Sequence, residues 1–211
     1  MQVKELISEI NSFDVKVVFD EPKYVAERLT KGEYILYFTP VDGKERKKYI
    51  HLKNKEGFKS TTAAIHIPDL SIEHLIDVYK SDVSGIYEFT KELLQEYCDN
   101  EINNDIIYTI YLFLHEVGHW IQFCNVQKDI ERYIHMDEEI TKANFEKMSL
   151  VNAKRADRLN KGGECLLTAK EKRLYKECME EYREIPKEKA ADQFAIGMLP
   201  RILDTFSVKC T

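Results

Sequence analysis

The stretch "NDIIYTIYLFLHEVGHWIQF", residues 104–123, decides how the rest of the chain is read. Ile106, Ile110, Leu114, Val117 and Ile121 follow the helical repeat, while Ile107, Tyr111, Leu112 and Phe113 make the other sides apolar too. A helix that is apolar all round has to be buried, so this one is expected to be the central helix of the domain. Its few polar residues then need a reason to be there. His115 and His119 stand four apart, which places both side chains on one face, with β-carbons about 6 Å apart. Two imidazoles so placed suit a single tetrahedral Zn²⁺, bound at about 2.0–2.1 Å from each nitrogen. Glu116 is turned roughly 100° from His115, beside such an ion rather than on it. From there it can take a proton from water and pass it to a leaving amine. Gly118 puts no side chain between the histidines and leaves room for a close backbone or ligand approach. The competing reading is a pair of core histidines satisfied by ordinary hydrogen bonds.

A third ligand has to come from elsewhere. The metzincin pattern H-E-x-x-H-x-x-G-x-x-H fails, because Gln122 and Asn125 stand where it demands Gly and His. The gluzincin pattern places a Glu on a later helix, often with an Asp four residues on. "EKAAD" (188–192) has that form, with Glu188 and Asp192 on one helix face. Glu188 is then expected as the third ligand, and Asp192 as the acceptor for the N–H of a ligand histidine. Glu181, Glu184 and the "HMDEE" cluster with His135, Asp137, Glu138 and Glu139 are rivals. A Glu in a helix's first turn also needs no metal, since the helix dipole favours it.

"HEVGHW" together with "EKAADQFAIGMLP" resembles the ImmA/IrrE family of zinc metallopeptidases. That family pairs a HExGH helix with a later helix of the form E-x-x-A-[ND]-x-F-A-x-x-L-L-x-P. Glu188, Ala191, Asp192, Phe194, Ala195 and Leu199 match the second motif, and Pro200 stands one position before its proline. The resemblance implies zinc held by His115, His119 and Glu188, with Glu116 as general base. It also implies a role in bacterial regulation, in which a repressor of a mobile element or stress response is cut. Family members usually separate the two motifs by a few tens of residues, whereas a helical segment intervenes here.

The remaining chain reads as one α+β domain over 1–211: a mostly helical, zincin-like body with a small antiparallel or mixed N-terminal sheet and an inserted helical hairpin. The sheet is expected within 15–67. It comprises "VKVVF" (15–19), a hairpin of 33–39 and 47–53 about Asp42–Gly43, and "TAAIHIP" (62–68). Residues 62–67 are a candidate edge strand for holding an extended substrate. His66, alone on that strand, reads as structural. Helices are expected over 2–11, 71–79 and 84–98, with Ser71 and Ser84 as caps. The 104–123 helix follows, then the helical insertion 126–184, in which Thr168 and Glu171 form a capping box. The third-ligand helix, 185–203, comes last, with Pro186 in its first turn.

Composition limits the alternatives. Of the 211 residues, 44% are hydrophobic and 32% charged, as in ordinary globular proteins, and the net charge of -6 argues against direct nucleic-acid binding. No apolar run approaches the roughly 20 residues of a membrane span. "MQVKELISEI" has no compact apolar block, and the five cysteines are widely spaced without a C-x-x-C pair. A cytoplasmic protein with reduced thiols is expected. The leading expectation is a zinc metallopeptidase acting on a protein or peptide substrate. The alternative is a zinc-binding regulatory protein that holds a repressor or other partner without proteolysis.

Overall fold

The computed structural model describes residues 1–30, 33–41, 59–81, 86–98, 102–160 and 168–210, with backbone only at 151–152, 154–160 and 206–210. Twelve α-helices and β-strands follow in order among these residues, with one 3-10 turn at Gln95–Tyr97: α1 (Val3–Ile10), β1 (Val17–Asp20), α2 (Pro22–Thr30), β2 (Tyr37–Thr39), β3 (Ala64–Pro68), α3 (Ile72–Ser81), α4 (Ile86–Leu93), α5 (Asn104–Asn125), α6 (Ile130–Ile134), α7 (Glu138–Asn160), α8 (Ala169–Arg183) and α9 (Pro186–Cys210). The fold is thus the mostly helical α+β architecture expected, with a small mixed sheet.

Strand order is β1-β3-β2, with β1 parallel and β2 antiparallel to β3. Strand β3 has partners on both sides, so it is the middle strand and not the edge strand expected at 62–67. It shows period-2 alternation: Ile65 and Ile67 are fully buried, while His66 faces the other way. There His66 Nδ1 lies 2.8 Å from Asp20 Oδ1, and its ring stacks on Tyr37 at 4.7 Å. Hairpin partner 47–53 and Ser84 lie outside the described residues.

Helix α5 is the hub. Its N-cap Asn103 accepts from the Asp105 amide at 2.7 Å, and residues 107–115 are buried without exception. Around it pack α1, α3, α9 and the inner face of the sheet, in one apolar core that includes Leu6, Leu75, Phe113 and Leu199. Burial of each such side chain stabilises the fold by about 1.5–3 kcal/mol. Helices α2 and α6 escape the sequence pattern because each is short and bounded by polar residues. Helix α9 continues past its expected end at 203 to Cys210, with Pro200 inside it.

Helices α5 and α9 cross in close contact at Gly118. A Cβ placed on Gly118 would sit 2.8 Å from Ala191 Cα and 3.1 Å from its carbonyl oxygen. The approach to Gly118 is therefore made by the backbone of α9, at a buried alanine. Gln122, one turn on, donates its side-chain amide to the Lys187 carbonyl at 2.7 Å and pins the first turn of α9. Gly118→Ala is expected to cost about 1–3 kcal/mol, overpacking outweighing its gain in helix propensity. Gly197 in α9 has nothing within 4 Å of an added Cβ, so Gly197→Ala should stabilise by about 0.5–1 kcal/mol. Urea denaturation midpoints read both, and a Gly118→Ala midpoint at or above that of wild type would show that the crossing tolerates a wider spacing.

Candidate metal centre

The crossing sets two i,i+4 pairs against each other, His115 and His119 from α5 and Glu188 and Asp192 from α9. His115 Nε2 and His119 Nε2 are 3.1 Å apart, and Glu188 Oε2 lies 3.4 Å and 3.3 Å from them respectively. Donors on a tetrahedral ion bound at about 2.0–2.1 Å would be about 3.3–3.4 Å apart. The nearly equilateral triangle thus fits a single metal ion. All three side chains are buried, and together they form a group able to hold one. A buried carboxylate facing two imidazoles demands a compensating cation, whether a metal ion or a proton on an imidazole.

Asp192 supports the triangle from behind. Its Oδ1 lies 2.8 Å from His115 Nδ1 and accepts from Tyr111 O–H at 2.6 Å and from Arg183 Nη1 at 2.7 Å. A proton on Nδ1 bonded to Asp192 leaves Nε2 free to face an ion. His119 Nδ1 is buried and has no such partner among the described residues.

Glu116 points elsewhere. Its Oε2 accepts the backbone N–H of Phe38 in β2 at 2.6 Å. With the three candidate ligands it lines a cleft of about 280 Å³, along with Tyr133, Tyr182 and Lys187. Burial, followed by the negative charge of Glu116 and Glu188, holds the Tyr133 phenol well above its usual range. Burial and Glu188 do the same for Tyr182. Both therefore face the cleft as neutral phenols at neutral pH.

The rival ligands disperse. Glu181 and Glu184 are exposed partners of Lys147 and Lys189. His135 pairs with Glu138 on the surface, and Asp137 accepts the Lys187 amide at 3.0 Å. Of the residues the sequence reading missed, Tyr111 had a usable signal, one turn before His115 on the same buried face. Phe38, Gln122 and Arg183 had none, because each acts across a tertiary contact. Comparison with known protein families, curated proteins and solved structures finds no match. Among the described residues no helix is long and apolar enough to cross a membrane.

Burial disfavours charge on His115, but its hydrogen bonds to Asp192 and Glu188 prevail and raise its pKa to about 9. Burial pushes the Glu188 carboxyl up, yet the two histidines hold it far below its usual range. Metal uptake must therefore displace a proton from His115 below that pKa. Apparent metal affinity should rise with pH, by up to about tenfold per unit, and level off above about 9. Proton release measured by calorimetry in buffers of different ionisation enthalpy checks this. In the metal-free protein the sign is opposite. A raised folded-state pKa gives stability that is full below about 6.5 and lost as pH rises through about 9.

Proposed function

We propose that the chain is a zinc-dependent metallopeptidase of the gluzincin type, which cuts a regulatory protein such as a transcriptional repressor, in the cytoplasm of a bacterium or in the service of a mobile element. The observation that carries this reading is the His115–His119–Glu188 triangle with Glu116 in the same cleft. Two imidazoles and one carboxylate form a donor set used by catalytic zinc, which keeps a fourth position open. The resemblance of both helix motifs to the ImmA/IrrE family supports the same reading and points to a repressor as the class of substrate.

Zinc in this site supplies Lewis acidity, polarising a carbonyl and acidifying water. The chain's own groups supply the rest. Glu116 accepts the proton of the attacking water and returns it to the departing amine. The Phe38 amide fixes one of its oxygens and leaves the other for that transfer. Asp192 holds His115 by Nδ1, so that Nε2 stays directed at the centre. Tyr133, a neutral phenol in the lining of the cleft, offers an O–H donor for negative charge developing on the carbonyl oxygen.

Elemental analysis of freshly purified protein should find stoichiometric zinc, and Glu188→Gln should lose it. Glu116→Gln should keep the metal and lose cleavage by a factor of about 10²–10⁴. New protein N-termini, mapped in a bacterial lysate incubated with wild type or with Glu116→Gln, provide the readout. Zinc retained with identical N-termini in both samples would sink the peptidase reading and leave the non-proteolytic binding protein.

A further inference from the structure

We propose that Arg183, the last residue of α8, is a positioning residue of the metal centre, anchoring Asp192 and through it the ring of His115. This rests on the metal-binding part of the reading above and not on peptidase activity. Three donors converge on Asp192 Oδ1, and two of them, Tyr111 and His115, belong to α5. Arg183 is the one from outside the α5–α9 pair, at 2.7 Å. Its Nη2 reaches Thr90 of α4 at 3.5 Å, and its guanidinium lies 5.8 Å from the Phe89 ring. The planar fork of an arginine can span an acceptor on α9 and another on α4 at once, which a lysine ammonium cannot do in the same geometry.

Burial makes a merely structural latch a poor account of this residue. Arg183 is only 6% exposed, and its Nε–H has no partner among the described residues. Desolvating a guanidinium is costly unless a well-placed counter-charge offsets it. A neutral side chain would fasten α8 without that cost. What the charge adds is a firm hold on the one carboxylate that orients a ligand histidine. The consequence is topological. The α7–α8 hairpin, which separates the two ligand helices in sequence, supplies its own end as part of the site.

Metal affinity by chelator competition, and the visible spectrum of the Co²⁺-substituted protein, test the assignment without any substrate. Asp192→Asn should weaken metal binding by about 10–100-fold. Arg183→Met should weaken it by about tenfold, change the Co²⁺ absorption, and add nothing further in the Asp192→Asn background. Arg183→Lys keeps charge and bulk, guards against a variant that does not fold, and should still bind metal several-fold more weakly. Wild-type affinity in Arg183→Lys, or losses that multiply in the double variant, would overturn the proposal while leaving the metal site intact. Failure of the wild-type protein to bind metal would overturn both readings together.

Discussion

The candidate ligand set depends on two helix backbones touching where Gly118 meets Ala191. Helices usually pack with axes 8–10 Å apart, the distance being set by the side chains at the contact. With no side chain on one partner and a methyl on the other, nothing but the Ala191 backbone and its methyl stands against Gly118. Each helix carries its chemistry four residues apart around the contact: His115 and His119 on one, Glu188 and Asp192 on the other. Glu188 can then reach both imidazole Nε2 atoms while Asp192 takes the back of His115. A wider crossing would leave Glu188 short of the histidines. The Gln122–Lys187 bond one turn further along keeps α9 from sliding along this contact.

The electrostatics follow from that closeness. Glu188 and Asp192 are both buried, and such carboxylates are tolerated only when paired. Arg183 serves Asp192. Glu188 faces the two histidines, and a positive charge among these three groups keeps its carboxylate ionised. Without metal the proton on His115 supplies that charge, and with metal the ion does. The site therefore exchanges one cation for another, and both states of the folded chain are electrostatically reasonable.

Much of this was legible in the sequence because it is local. An i,i+4 histidine pair in an all-round apolar helix, and an i,i+4 Glu–Asp pair in a later one, are each readable from spacing alone. The helical repeat placed α5 to within a few residues and found the start of α9, although α9 runs on past the expected end at 203 to Cys210. What could not be read is set by contacts between distant segments. Strand β3 is rich in β-branched residues whether it is central or at the edge, and only its pairing with both β1 and β2 decides. Arg183 sits in "EEYRE", a run of charges that reads as a solvated helix face. Its burial comes from docking against α4 and α9, which no spacing rule records. Gly118 was read as clearance between histidines, while the group that fills the clearance is the backbone of a helix about seventy residues away.

The two halves of the site are held by different parts of the fold. Helix–helix packing holds the ligands, whereas Glu116 leans on the sheet. Its position turned away from the ligand face sends its carboxylate to β2, where the Phe38 amide takes it. Phe38 is in turn fixed by its ring, which packs edge-on against Trp120 at 6.2 Å and Tyr133 at 5.8 Å. Trp120 thus has a structural task one residue beyond His119, steadying the strand that holds Glu116. The candidate ligand triangle and the Glu116 carboxylate can therefore shift independently in this chain. Displacement of β2 would redirect Glu116 while the ion stayed in place, and loosening of α9 would release the ion while Glu116 kept its amide.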